Sequence, residues 1–123
     1  MIFILDDDAA TRDSLRLLLE CEGLRARAFA SGRAFLDAVP ASEEGCLLLD
    51  VQMPGMSGFE VLEALRRRGD ERAVIILTGQ PSPAASNRAA AAGALAFVEK
   101  PYRADALLAL VHHALERRPG AGR

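Results

Sequence analysis

The sequence lacks long apolar runs and carries little net charge. No apolar run approaches the ~20 residues that span a bilayer, and Met1 leads into an apolar stretch without the basic segment of an export signal. The 15 Lys and Arg residues nearly balance the 17 Asp and Glu residues, for a net charge of -2. We therefore expect a cytoplasmic domain that contacts neither a membrane nor nucleic acid directly.

Cysteines and nucleotide-binding glycine motifs are also scarce. The two cysteines, Cys21 and Cys46, lie in apolar surroundings without CxxC spacing, which predicts buried free thiols rather than a redox pair. No GxGxxG follows the first apolar run, so a dinucleotide-binding domain is excluded. The glycines at 55 and 58 lack the lysine of a phosphate-binding loop. A chain of 123 residues suffices for one domain with a single core.

Apolar runs alternate with helical patterns along the whole chain. Strands are predicted at 2–5, 24–29, 46–49, 73–77 and 95–98, with 24–29 nearer a sheet edge. Helices are predicted at 11–20, from Ser31, from Ser57 to about 68, at 84–92 and at 104–117. Ser57 and Glu60 form a capping box. This order predicts an α/β fold, a parallel sheet with helices on both faces.

Polar residues follow the predicted strands. They are Asp6, Asp7 and Asp8 after the first, Asp50 after the third, Thr78 after the fourth and Lys100 after the fifth. The carboxyl ends of parallel strands share one edge, where ligands bind in such sheets. Crowded carboxylates repel one another unless a cation neutralises them, and Mg²⁺ prefers such oxygen ligands. Asp8 has two interpretations, a third acidic ligand or a helix N-cap.

The same residues suit phosphoryl transfer. Asp50 is the candidate nucleophile that would form an acyl phosphate. Lys100 can pair with a carboxylate at rest and with a phosphoryl oxygen afterwards, and the Thr78 hydroxyl can donate to another oxygen. Positioning and charge neutralisation are the main requirements of this chemistry.

These motifs, in this order, resemble the receiver domain of two-component response regulators. They are Asp6-Asp7, Asp50 with Met53-Pro54-Gly55, Thr78-Gly79 and Lys100-Pro101. The resemblance implies a flavodoxin-like (βα)5 doubly wound sheet of strand order 2-1-3-4-5, with the receiver at 1–118 and a tail or linker at 119–123.

The resemblance also implies roles for individual residues. Asp50 would accept phosphate from a sensor histidine kinase, and Asp6, Asp7, Asp50 and the backbone carbonyl of Gln52 would hold Mg²⁺. Thr78 and Phe97 would form a switch pair that alters the surface of the fourth helix, fifth strand and fifth helix. The Lys100-Pro101 peptide would be cis. Phosphorylation would favour a homodimer.

Further residues resemble the FixJ-like branch. They are Arg12-Asp13-Ser14-Leu15 after the acidic turn, the stretch from Met53 to Gly58, and Phe97-Val98-Glu99-Lys100-Pro101. Members usually continue into a LuxR-type helix-turn-helix that binds DNA and regulates transcription. We expect either a receiver separated from such a domain or a stand-alone receiver.

Two alternative functions fit part of this pattern. A haloacid-dehalogenase-like phosphohydrolase also forms an aspartyl phosphate, but it would need an aspartate where Gln52 stands. A degenerate receiver usually lacks one of the charged residues, and all are present here. We therefore expect a signalling domain that catalyses only its own phosphorylation and dephosphorylation.

Two helices carry secondary predictions. The helix at 84–92 has few large apolar residues, so we expect it to be loosely packed and mobile. His112 and His113 point about 100° apart on a helix, which favours solvated surface over a phosphotransfer site.

Overall fold

The computed structural model describes residues 1–116, so the predicted helix end at 117, the domain boundary at 118 and the tail at 119–123 lie outside the described residues. Strands and helices alternate. They are β1 (Ile2–Leu5), α1 (Ala9–Cys21), β2 (Ala26–Phe29), α2 (Gly32–Ala38), β3 (Cys46–Asp50), α3 (Gly58–Arg67), β4 (Val74–Thr78), α4 (Pro83–Ala91), β5 (Ala96–Glu99) and α5 (Ala104–Glu116).

The five strands form one parallel sheet in the order β2-β1-β3-β4-β5. The flavodoxin-like prediction and the edge position of β2 are confirmed. β2 begins later than expected, at Ala26, because the pairing with β1 starts at Ile2 opposite Ala26. β3 and β4 each run one residue further than expected, so that Asp50 and Thr78 are their last residues.

Alternate strand residues fill two core layers, one on each face of the sheet. Phe3, Leu5, Leu47, Leu49, Val74 and Ile76 pack with side chains of α2, α3 and α4. Ile2, Ile4, Leu48, Ile75 and Leu77 pack with side chains of α1 and α5. The apolar runs of the central strands are thus buried on both faces, as a covered parallel sheet requires.

A buried ion pair lies at the amino ends of the strands. Arg72 Nη2 is 2.9 Å from Asp70 Oδ2, and both side chains are almost fully buried. The Arg72 guanidinium also donates to the backbone carbonyls of Pro40, Glu43 and Gly45. We call Asp70 and Arg72 with these carbonyls the basal arginine cluster. It joins the turn before β4 to the chain before β3.

The two cysteines differ in burial. Both are free, as expected, and Cys46 is buried, which raises the pKa of its thiol to about 12. The prediction that Cys21 is buried was wrong. The buried face of α1 is set by Leu15 and Leu19, and a residue two positions later lies about 200° around the helix, toward solvent.

Other secondary predictions fall on the helices. Ala89 is the one buried residue of α4, which confirms its weak apolar anchoring, whereas its mobility stays a prediction. His112 and His113 are both exposed, as expected for solvated surface. Within residues 1–116, no helix combines the length and apolar character needed to cross a bilayer.

Candidate functional site

The predicted site residues meet at the carboxyl edge of the sheet. Asp6 and Asp7 follow β1, Asp50 closes β3, and Lys100 follows β5. β1 and β3 are neighbours in the sheet, which brings their ends together. The site is therefore assembled from strand ends that are distant in sequence.

Three carboxylates form the centre of the site. Asp6, Asp7 and Asp50 each offer an oxygen within 4.8 Å of the other two. Asp6 and Asp50 are buried, whereas Asp7 is exposed. Asp8 is not part of this group; its carboxylate accepts from the Thr11 backbone N–H at 3.1 Å and caps α1. Of the two interpretations of Asp8, the structure therefore shows the N-cap.

Lys100 lies beside two of these carboxylates. Its Nζ is 3.5 Å from Asp6 Oδ2 and 3.6 Å from Asp50 Oδ1. Its backbone N–H donates to the Thr78 carbonyl at 2.7 Å, which ties the β5 end to β4. The peptide between Lys100 and Pro101 is cis, as expected.

The environment of Asp50 disfavours its negative charge. Burial raises the pKa of its carboxyl and the charge of Asp6 raises it further, while Lys100 and the Gln52 backbone N–H act in the opposite direction. The net effect is a pKa above the ordinary value of an aspartate. An additional cation at this edge would relieve the repulsion.

The donor set fits a hard divalent cation. Two carboxylates from one turn and a third from the neighbouring strand leave positions for water and for phosphate oxygens, as Mg²⁺ prefers. Gln52 is exposed, and its backbone N–H lies 3.4 Å from Asp50 Oδ1. Coordination of Mg²⁺ by the Gln52 backbone carbonyl stays a prediction.

Thr78 and Phe97 lie on neighbouring strands. Thr78 is buried, and its Oγ1 accepts from the Gln80 backbone N–H at 3.1 Å. Phe97 is half-buried, pairs with Ile76 across β4 and β5, and packs on the core layer under α3 and α4. Their role as a switch pair stays a prediction.

Two residues without a predicted role contact the site. Arg12 donates from Nη1 to the Asp6 backbone carbonyl at 2.7 Å. Long helical side chains lean toward the helix N-terminus, and this lean was the available signal for Arg12 in the first turns of α1. Gly58 packs against the backbone of Asp50 and Val51. No local pattern marks that approach.

Comparisons with known proteins agree with this geometry. Residues 2–112 match the family described as "Response regulator receiver domain". The chain is 42% identical over 122 residues to the transcriptional regulatory protein FixJ of Azorhizobium caulinodans, covering 99% of this chain and 58% of that protein. It spans about half the length of the curated relatives it matches.

Solved structures give the same result. Full-length FixJ from B. japonicum superposes with a TM-score of 0.88 at 38% identity, covering 98% of this chain and 60% of that one. The FixJ-N structure superposes with a TM-score of 0.88 at 32% identity, covering 95% of this chain and 94% of that one. The resemblance to the FixJ-like branch is thus confirmed, and the chain belongs to the response regulator receiver domain family of two-component systems.

Proposed function

We propose that this domain accepts a phosphoryl group on Asp50 from the histidine of a sensor kinase, in a reaction that requires Mg²⁺. The observation that carries the proposal is the grouping of Asp6, Asp7 and Asp50 around a lysine that lies within 3.6 Å of two of them. Membership of the receiver family favours a signalling domain over a phosphohydrolase.

Asp50 is the proposed nucleophile. One of its carboxylate oxygens would form the O–P bond while the P–N bond to the donor histidine breaks, and the electron pair would leave with the imidazole nitrogen. Asp6, Asp7, Asp50 and the Gln52 carbonyl would hold the Mg²⁺. When bound, the metal would neutralise charge that develops on the phosphoryl oxygens.

Lys100 and Thr78 are proposed to contact the transferred group. Lys100 already lies close to Asp50, so its ammonium can move from the carboxylate to a phosphoryl oxygen over a short distance. The Thr78 Oγ1 accepts from the Gln80 backbone N–H, so its own hydrogen is available. The Thr78 side chain would move toward the phosphoryl group and donate that hydrogen to a phosphoryl oxygen. That movement would open space for Phe97 and alter the face formed by α4, β5 and α5.

The altered face would control the output of a longer protein. The matched relatives are named as transcriptional regulators, and this chain covers only their receiver portion. We propose that the domain is cytoplasmic, forms a homodimer on phosphorylation, and acts through a helix-turn-helix output domain that binds DNA. The receiver itself would make no contact with nucleic acid or membrane.

Intact-mass spectrometry tests the phosphoacceptor role. The chain and its Asp50→Asn variant are incubated with acetyl phosphate, with and without Mg²⁺. We expect a gain of one phosphoryl group in the parent chain with Mg²⁺ alone. An equal gain in Asp50→Asn would show that another residue is the acceptor, and continuous phosphate release without an adduct would indicate a short-lived phosphoform.

A further inference from the structure

Every polar backbone and side-chain group of Asp6 has a contact, and Arg12 donates to its backbone carbonyl. The Asp6 backbone N–H donates to the Phe29 carbonyl at 3.2 Å. Its carboxylate accepts from the Asp8 backbone N–H at 2.9 Å and faces Lys100 at 3.5 Å. Its carbonyl, at the end of β1, accepts from Arg12 Nη1 at 2.7 Å. The contact is a short hydrogen bond with a charged donor, a strong type.

The bond from Arg12 constrains the neighbouring ligand. The Asp6 carbonyl and the Asp7 N–H belong to one planar peptide, so holding the oxygen also sets the direction in which the chain enters Asp7. Asp7 is exposed, and its carboxylate accepts no hydrogen bond from residues 1–116. The position of that carboxylate therefore depends on its backbone.

Arg12 is itself well anchored. Its backbone N–H donates to the Asp8 carbonyl at 3.0 Å, and α1 is seated on the sheet by the buried Leu15 and Leu19. The guanidinium is thus presented to the strand end by a helix that is fixed on the core. A hydrogen-bond donor that is held rigidly in this way fixes the orientation of the metal ligands beside it.

We propose that Arg12 is a positioning residue for the divalent cation, holding the Asp6–Asp7 peptide so that both carboxylates face one ion. This inference rests on the proposed function of the site. If Arg12 acted only through its positive charge, it would weaken Mg²⁺ binding rather than support it, because a cation near the three carboxylates repels Mg²⁺. Removing Arg12 weakens Mg²⁺ binding if it positions the ligands and strengthens binding if it acts only as a charge.

The experiment is an NMR titration with MgCl₂ at constant ionic strength, on phosphate-free protein. The variants are Arg12→Ala, Arg12→Lys and, as a control, Arg16→Ala. Arg16 lies on the same helix, is exposed, and forms an i,i+4 pair with Glu20, so its loss changes the net charge equally without touching the site.

We expect the Mg²⁺ dissociation constant of Arg12→Ala to rise about tenfold, as when other residues that hydrogen-bond to metal ligands are removed. Arg12→Lys should give an intermediate value, because a flexible lysine replaces a planar fork. Arg16→Ala should match the parent. At saturating Mg²⁺, Arg12→Ala should regain close to the parent rate of phosphorylation by acetyl phosphate.

Several results would overturn the proposal. Tighter binding by Arg12→Ala would show a charge effect alone, and unchanged binding with a lower melting temperature would show only structural support of α1. If Arg12→Ala does not fold, parent-like affinity in Arg12→Lys would overturn the proposal. Absence of Mg²⁺ binding in the parent and in Arg16→Ala would instead overturn the proposed function, and the role of Arg12 with it.

Discussion

Replacing Gly58 by alanine tests how closely α3 packs against the chain that follows β3. Gly58 is the first residue of α3 and is buried. A Cβ at this position would collide with the Asp50 carbonyl oxygen and would lie 2.8 Å from the Val51 Cα. Both contacts are with backbone, so relief requires a movement of the helix or of the loop.

The expected loss of stability follows from two opposing terms. Overpacking of this kind costs about 1–3 kcal/mol, whereas alanine in place of a helical glycine gains about 0.5–1 kcal/mol. We expect the free energy of unfolding to fall by up to about 2.5 kcal/mol, measured by urea denaturation. Because the displaced atoms belong to Asp50 and Val51, Mg²⁺ affinity should fall too.

Gly79→Ala is the matched control. Gly79 follows β4 at the same edge of the sheet, but a Cβ there would meet no atom within 4 Å. Its stability should stay within about 0.5 kcal/mol of the parent. The reasoning is refuted if Gly58→Ala is as stable as the parent and binds Mg²⁺ equally well, or if Gly79→Ala causes the same losses.

Three further predictions follow from the charges and the packing. Asp50→Asn should raise the melting temperature in EDTA at pH 7, because burial and the Asp6 charge raise the Asp50 pKa and the ionised carboxylate therefore disfavours folding. The increase in melting temperature should shrink as pH falls through the raised pKa. A lower melting temperature of Asp50→Asn than of the parent at pH 7 would contradict this prediction. Asp70→Asn should cost about 3–5 kcal/mol at pH 7 in urea denaturation, because it leaves Arg72 buried without its partner. Burial opposes ionisation of Asp70, but hydrogen bonds from Arg72 outweigh this effect and lower the Asp70 pKa. The stabilisation by the ionised carboxylate is therefore present at pH values above the ordinary aspartate pKa and is lost as pH falls through the lowered pKa. If Asp70→Asn were still destabilised by the same amount at pH 2, this account would be contradicted. Amides of α4 should exchange hydrogen faster than those of β3 and β4, because Ala89 alone is buried in that helix, and equal protection would disprove the expected mobility.

Much of the site could be predicted because its chemistry lies at strand ends. The run before Asp50 is apolar and bounded by Pro54 and Gly55, which indicates a buried strand and locates its end within one residue. Since parallel strands share a carboxyl edge, residues distant in sequence were expected together, and Lys100 was found beside Asp50. Family resemblance supplied the strand order.

What could not be predicted depends on contacts between side chains and distant backbone. Arg72 donates to the carbonyls of Pro40 and Gly45, which lie 32 and 27 residues away in sequence. No periodicity or spacing marks such a contact. The exposure of Cys21 was missed because the predicted helix ended at residue 20, whereas α1 continues to Cys21 and turns it away from the face set by Leu15 and Leu19.

The two ends of the sheet differ in how firmly their segments are joined, because the basal arginine cluster lies at one end only. At the amino ends of the strands, Arg72 joins segments that are distant in sequence through one buried guanidinium. At the carboxyl ends, like charges crowd against one another. We therefore expect local opening to begin at the carboxyl ends of the strands rather than at the basal arginine cluster. In genetic terms, substitutions at the base should produce temperature-sensitive proteins, whereas substitutions of the charged residues at the opposite edge should leave folding intact and alter the signal.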